Sequence, residues 1–230
     1  MSTIITDAVT ALSGNLALAP EGSGVVTIDG LTYPAADGSA NQLMKTNGSG
    51  VLSFVDAPSG GLTLIASTTI SDDATIDFET TAAFDGTFDT LTFELSRIVC
   101  ASNNTDFIML VKTGGAYVTS SYEHLLGTSV TASSYAEKDS TDGIYIADNL
   151  GNDTGESLDG TVTLHAPATT GRFNNIISLI AYMDTSADTG WALGGGCFQG
   201  ATTAIQGVRF KQASGNLTSG KITMYGKKTS

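Results

Sequence analysis

The sequence predicts an all-β protein in which a thin run of short β segments precedes a larger β-sandwich or jelly-roll-like domain. Short apolar runs, several of which alternate with polar residues, recur along most of the chain. Clusters of Gly, Asn, Asp and Ser separate these runs, as turns do between strands. Charged residues make up only 14% of the chain, whereas 41% is apolar, which is enough for one core.

The first fourteen residues, MSTIITDAVTALSG, carry apolar side chains at helical spacing. Ser2 or Thr3 is suited to cap the start of such a helix, and Gly14 to end it. A helix of this length is marginal alone in water, and a strand or a frayed tail is the alternative. We therefore expect residues 1–14 to become ordered only against a partner. The side chains expected to make this contact are Ile4, Ile5, Val9 and Leu12.

Residues 15–57 form the second segment and contain only very short apolar or alternating runs. Segments this short cannot build a core within one chain. We therefore expect them to pair with copies from neighbouring chains, as an intertwined β shaft. Residues 58–61, Pro-Ser-Gly-Gly, then make a linker. Tight reversals, at residue types that tolerate positive φ, are predicted at Glu21–Gly24, Asp29–Gly30, Asp37–Gly38 and Asn47–Gly50.

Residues 62–230 read as a single all-β domain with about ten short strands. Alternation is clearest around Phe93, where Leu91, Phe93 and Leu95 share one face. Ile176–Ala181 is apolar on both faces, which predicts either a central strand or one buried at a subunit interface. The predicted strands are Leu62–Ser67, Thr75–Phe78, Thr90–Cys100, Phe107–Thr113, Tyr117–Tyr122, Gly143–Ala147, Gly160–His165, Ile176–Met183, Trp191–Phe198, Ile205–Lys211 and Lys221–Tyr225.

Charge and hydropathy argue against two classes of partner. The formal net charge is −13, and a nucleic-acid-binding protein needs cations to neutralise phosphates. The sequence contains no run of membrane-spanning length and does not open with a signal peptide, so we expect no membrane insertion and assembly in a cytoplasm. Cys100 and Cys197 lie in apolar runs and are expected to be buried, reduced thiols, with a disulfide between them as the alternative.

The sequence predicts neither a catalytic site nor a cofactor. His124 and His165 have no second His or Cys at metal-ligand spacing, and paired carboxylates such as Asp72–Asp73 fall in polar turns. One oxygen-rich loop, Asp148–Asp153 followed by Glu156, has ligand types that Ca²⁺ prefers. Its spacing is not that of an EF-hand, so an ordinary polar loop is the favoured interpretation. We therefore expect a non-enzymatic protein without a metal.

Three stretches resemble a known group of proteins: YPAADGSANQLMKTNGSGVLSF at Tyr33–Phe54, FDTLTFELSRIVCASNNTDFIMLVKTGGAY at Phe88–Tyr117 and IQGVRFKQASGNLTSGKITMYGKK at Ile205–Lys228. The first is similar to the shaft segment near the N-termini of bacteriophage tail-fibre and related virion proteins, especially those of marine and cyanobacterial phages. The other two resemble the beginning and the closing hairpin of the β-sandwich head domain that follows such shafts. The region Val118–Gly200 matches only loosely.

The resemblance implies a structural appendage of a virion, assembled as a homotrimer in the host cytoplasm. Residues 1–14 would attach the fibre to another virion protein of the tail, neck or capsid. The C-terminal knob would then be displayed for adhesion to a polysaccharide or protein of the host surface. The alternative is a capsid decoration or head-fibre protein with a mainly structural role. A depolymerising tailspike enzyme ranks below both, because the chain lacks the length and repeated rungs of a β-helix.

Host contact is expected in loops where aromatic and amide groups accumulate, since such loops often carry recognition on a rigid β scaffold. Aromatic rings stack on the CH faces of sugars, and amides and carboxylates hydrogen-bond their hydroxyls. For Trp191 the alternative is ordinary packing in the core. The residues expected to contact the host surface are Tyr117, Tyr122, Tyr135, Asn149, Asp153 and Trp191.

Overall fold

The computed structural model of the chain describes residues 24–57, 61–129, 133–140 and 142–228; for 129 and 133–140 it describes the backbone alone. The described residues form an all-β protein, as predicted, with a single four-residue helix, α1 (Thr81–Phe84). The chain divides into two compact units, Met1–Pro58 and Ser59–Ser230. We call residues 24–57 the hairpin segment and residues 61–228 the two-sheet domain. Most of the expected linker 58–61, namely residues 58–60, lies outside the described residues.

The hairpin segment consists of two antiparallel hairpins. Strands β1 (Thr27–Ile28) and β2 (Leu31–Thr32) are joined by a tight turn, and β3 (Gln42–Thr46) pairs with β4 (Leu52–Asp56). The Thr32 amide donates to the Gly50 carbonyl at 2.7 Å and ties the hairpins together. Gly50 has a φ of +83°, and a Cβ there would lie 2.8 Å from the Gly30 carbonyl oxygen, so this close approach requires glycine.

The two-sheet domain contains the remaining strands. They are β5 (Thr63–Asp73), β6 (Ile76–Phe78), β7 (Thr90–Cys100), β8 (Thr105–Thr113), β9 (Ala116–Tyr117), β10 (Tyr122–Ser129), β11 (Ser133–Ser140), β12 (Ile144–Leu150), β13 (Leu158–His165), β14 (Asn174–Met183), β15 (Thr189–Phe198), β16 (Gly207–Gln212) and β17 (Leu217–Lys227). An eight-stranded sheet has the order β11-β10-β15-β14-β13-β7-β17-β5. A second sheet has the order β12-β8-β16-β6, with β9 added beside β8. Neighbouring strands are antiparallel throughout.

The inner faces of the two sheets share one hydrophobic core. Phe93 of the eight-stranded sheet contacts two phenylalanines of the other sheet edge-to-face, with centroid distances of 5.1 Å to Phe210 and 5.4 Å to Phe78. Phe107 stacks on Phe210 at 5.8 Å. Each such aromatic pair contributes roughly 0.5–1.5 kcal/mol beyond the burial of its area. This cluster therefore fixes how β7 packs on β6, β8 and β16.

Several predicted strands differ from those in the structure. The predicted strand Tyr117–Tyr122 is wrong, because Tyr117 ends β9 and Tyr122 begins β10. Strand β11 was not predicted, since its sequence SSYAEKDS is polar and lacks a regular apolar alternation. The predicted strand Thr90–Cys100 has the same bounds as β7. Ile176–Ala181 lies in β14, near the middle of the eight-stranded sheet. This position agrees with the first of the two interpretations, a central strand.

Candidate interaction surfaces

None of the described residues of the hairpin segment is buried. Its strands are nevertheless paired, and several turns are fixed by side chains. The Asn47 side-chain oxygen, for example, accepts from the amides of Ser49 and Val51 at 2.8 and 3.1 Å. The segment thus has defined hairpins but no core of its own. Its largely exposed apolar side chains are Val25, Ile28, Leu31, Leu43, Met44 and Val51.

The four side chains expected to attach the chain to a partner, Ile4, Ile5, Val9 and Leu12, lie outside the described residues, as does the first part of the expected shaft, residues 15–23.

Tyr117 belongs to a polar cluster and not to a free loop. The Arg209 guanidinium lies over its ring, 3.9 Å from the centroid, and binds Asp77 through two contacts of 2.7 and 2.6 Å. Lys112 pairs with Glu79 at 2.8 Å, and this hydrogen bond lowers the pKa of Glu79. Burial raises the pKa of Tyr117. The cluster joins β6, β8, β9 and β16, so the half-buried Tyr117 has a structural role there.

Tyr122 is a core residue, which contradicts its expected contact with the host surface. Its side chain is only 3% exposed, and its ring packs on Phe198 with a centroid distance of 5.3 Å. The hydroxyl accepts from the Val111 amide and donates to the Val118 carbonyl, both at 2.9 Å. Burial raises the pKa of Tyr122 to about 12. The prediction made Tyr122 the last residue of a strand at the edge of a recognition loop, whereas it begins β10 with its side chain inward.

The oxygen-rich segment predicted as a loop begins inside β12, which contains Asp148 and Asn149, and only its second half is a loop that folds back on itself. Asn149 has a φ of +54° and is partly exposed, whereas Asp153 is exposed. The carboxylate of Glu156, which is 4% exposed, accepts from the Asp153 amide at 2.7 Å. Across the described part of the chain, no group of three or more His, Cys, Asp or Glu side chains is placed to hold a metal. Asn149 and Asp153 are thus both accessible to solvent.

Trp191 lies on the outer face of the eight-stranded sheet together with aliphatic side chains. Across neighbouring strands, Leu125, Gly195 and Ile177 form one row, and Leu193 and Leu179 form the next. Trp191 follows, opposite Ala181. We call the outward-facing residues Leu125, Ile177, Leu179, Trp191, Leu193 and Gly195 the apolar face. The exposed fractions of its five large side chains are 51% for Leu125, 50% for Ile177, 60% for Leu179, 40% for Trp191 and 51% for Leu193.

A furrow runs along this face where three consecutive glycines occupy the middle of β15. A Cβ on Gly194 would lie 2.6 Å from the Ser178 hydroxyl oxygen, and a Cβ on Gly196 would lie 2.5 Å from the Glu123 carbonyl oxygen. These two positions therefore require glycine for packing within the chain. A Cβ on Gly195 would meet only the Ile176 carbonyl oxygen, at 3.8 Å. The furrow between Leu125 and Ile177 is thus open because Gly195 has no side chain.

One sequence feature indicated this surface, because Ile176–Ala181 has apolar side chains on both faces of a strand. Leu125, Leu193 and Gly195 could not be assigned to the same surface, because only the strand order brings β10 and β15 beside β14.

Only the backbone of Tyr135 is described. Tyr135 lies in β11, opposite Gly127 of β10, and not in a loop.

The two cysteines are free, and they differ in environment. Cys100 is buried, and its burial raises the thiol pKa to about 12. Cys197 is partly exposed at one end of the furrow, so the expectation of burial is wrong for this residue. No helix among the described residues is long and apolar enough to cross a membrane.

Comparisons with known proteins found no matching family, no similar curated protein and no similar solved structure.

Proposed function

We propose that this chain is a structural appendage protein of a bacteriophage virion, assembled as a homotrimer with an N-terminal shaft and a C-terminal knob. The hairpin segment would belong to the shaft, and the two-sheet domain would be the knob. The N-terminus would bind another virion protein, and the knob would be displayed for adhesion to polysaccharide or protein on the host surface.

The observation that carries this proposal is that none of the described residues of the hairpin segment is fully buried. An isolated two-stranded hairpin is marginally stable at best in water. Here two short hairpins instead expose six large apolar side chains. Burying one such side chain fully is worth roughly 1.5–3 kcal/mol, so association with copies of the same segment supplies the missing core. An intertwined shaft meets this need, and the resemblance of Tyr33–Phe54 to phage shaft segments supports it.

A capsid decoration protein is the second candidate. The hairpin segment is short, and its first two strands have only two residues each. A short extension of this kind suits a protein held close to a capsid surface as well as a compact tail or neck fibre. Adhesion would then be weak or secondary, and attachment to the capsid would be the main role.

The test has two parts, which are location on the particle and dependence of assembly on the N-terminus. Antibodies against the two-sheet domain, imaged on virions by electron microscopy, should label the tail or neck for a fibre and the shell for a decoration protein. The double variant Ile5→Asp/Val9→Asp should abolish incorporation into particles. The matched double variant Thr3→Asp/Thr10→Asp, which adds the same charge at neighbouring polar positions, should incorporate normally. Absence of the protein from purified virions would overturn the proposal.

A further inference from the structure

We propose that the apolar face of the eight-stranded sheet is the surface through which copies of this chain bind one another at the two-sheet domain. The inference rests on the proposed self-association, and it locates a second contact outside the hairpin segment. Two observations carry it, the apolar area and the glycine at position 195, and the distribution of charge limits how two copies can meet.

The area of the face fits one side of a protein–protein interface. The five large side chains, which are 40–60% exposed, present on the order of 400 Å² of apolar surface. An interface of standard size buries roughly 800 Å² per partner, of which somewhat more than half is non-polar. The flanking strand β13 directs Thr161 and Thr163 to the same side, opposite Leu179 and Ile177. They provide the polar rim that such interfaces have.

The distribution of charge is compatible with a second copy as the occupant. The chain has a net charge of −13, so two copies repel each other over most of their surfaces. The six residues of the apolar face carry no ionisable side chain, whereas carboxylates border it: Glu123 lines one end of the furrow, and the register places Glu137 beside Leu125 and Asp159 beside Ala181. Two copies can therefore meet over the apolar residues with these carboxylates at the exposed rim, where water and salt screen their repulsion. Copies already joined by the hairpin segment would also meet at a high effective concentration, which favours a second copy over other partners.

Gly195 indicates that the approach comes from outside the domain. Glycine inside a strand costs roughly 0.5–1 kcal/mol relative to alanine, and it often marks close approach of another backbone or a ligand. At Gly195 none of the described atoms of the domain requires this cost, since the only one of them within 4 Å of a Cβ is the Ile176 carbonyl oxygen at 3.8 Å. A side chain of the second copy inserted between Leu125 and Ile177 explains the glycine.

The first experiment measures association of the full-length protein by sedimentation velocity over a series of concentrations. Gly195→Val makes the face more apolar but fills the furrow, and we expect it to raise the dissociation constant about tenfold or more. General hydrophobic stickiness predicts the opposite change. Leu179→Thr/Leu193→Thr should weaken association similarly, and threonine keeps strand propensity. Leu64→Thr is the matched control, because Leu64 is 60% exposed on the same side of the sheet, at its far edge in β5.

The second experiment detects the contact directly and does not depend on how strongly the shaft holds the copies together. Cysteine replaces Leu193 or, as the control, Leu64, in a chain that also carries Cys197→Ser. Cys100 is kept, because it is buried and therefore shielded from maleimide. In the associated protein, maleimide should modify Leu193→Cys about tenfold or more slowly than Leu64→Cys, although the two positions are 51% and 60% exposed in the single chain.

The outcomes separate this inference from the proposed function. If the chain associates but Leu193→Cys reacts as fast as Leu64→Cys, the inference is overturned and self-association through the shaft stands. If protection appears only after addition of virions or host glycan, the face binds another partner and the inference is again overturned. A chain that stays monomeric overturns both the inference and the homotrimer. If Leu193→Cys is protected in the associated protein but the protein is absent from virions, the inference stands and the proposed virion function is overturned.

Discussion

Removal of the Tyr122 hydroxyl should destabilise the two-sheet domain, because this group joins two backbone positions inside the core. In Tyr122→Phe the ring can still pack on Phe198, but the Val111 amide and the Val118 carbonyl each lose a partner at 2.9 Å. Leaving a buried polar group unpaired costs roughly 1–3 kcal/mol. Val111 is fully buried, whereas Val118 is partly exposed and can recover a bond to water. The expected loss is therefore about 2 kcal/mol.

Thermal unfolding at one fixed protein concentration measures this loss, since association also changes the apparent stability. For a domain of this size, about 2 kcal/mol lowers Tm by roughly 4–8 °C. Tyr225→Phe is the control: Tyr225 is partly exposed, and its hydroxyl hydrogen-bonds to none of the described residues. Its Tm should change by less than a third of that amount. If the two variants unfold at the same temperature, the Tyr122 hydrogen bonds do not contribute as argued.

Three further changes test other parts of the structure. Burial raises the pKa of Tyr122 from 10.0 to about 12, so the tyrosine ionises first in the unfolded state. The free energy of unfolding of the wild type should therefore fall as the pH rises from about 10 to 12. Urea titrations at each pH should show a smaller fall for Tyr122→Phe over that interval. Arg209→Lys loses the paired contacts to Asp77 and the planar stacking on Tyr117. The free energy of unfolding should fall by about 0.5–1.5 kcal/mol. An unchanged urea midpoint would mean that a single positive charge is sufficient to hold this cluster together. Gly196→Ala should lower Tm clearly, because the new Cβ would lie 2.5 Å from a backbone oxygen. Gly195→Ala should instead unfold at or above the wild-type temperature. An equal fall in Tm for the two variants would contradict this account of the furrow.

The all-β class and the strongest strands could be predicted from the sequence, because alternation reflects burial directly. In β7 the residues Leu91, Phe93 and Leu95 are all buried in the core, as their spacing indicates. Strand β11 could not be predicted in the same way. Its sequence is largely polar, and it forms by pairing with β10 at the edge of the sheet, where little burial is required.

Prediction of the candidate contact residues was less successful, because residue type does not determine the direction of a side chain. Tyr122 and Trp191 both lie among polar residues in the sequence. Tyr122 nevertheless points into the core and Trp191 points out of the sheet, at 3% and 40% exposure. In a strand, a shift of one residue reverses the face. The predicted strand Tyr117–Tyr122 ended where β10 begins, and the rest of β10 was not predicted, so the inward direction of the Tyr122 side chain was missed.

Strand β14 shows how folding and association can be encoded on opposite faces of the same segment. Its inward side chains Ile176 and Ile180 are each 1% exposed, whereas Ile177 and Leu179 are 50% and 60% exposed. Burial of the inward set is complete within one chain, so substitutions there should lower stability at every protein concentration. Substitutions in the outward set should leave the isolated domain stable and act only where copies meet. The apolar character of both faces, which left two interpretations open in the sequence, then has two separate causes: central position in the sheet and contact with a second copy.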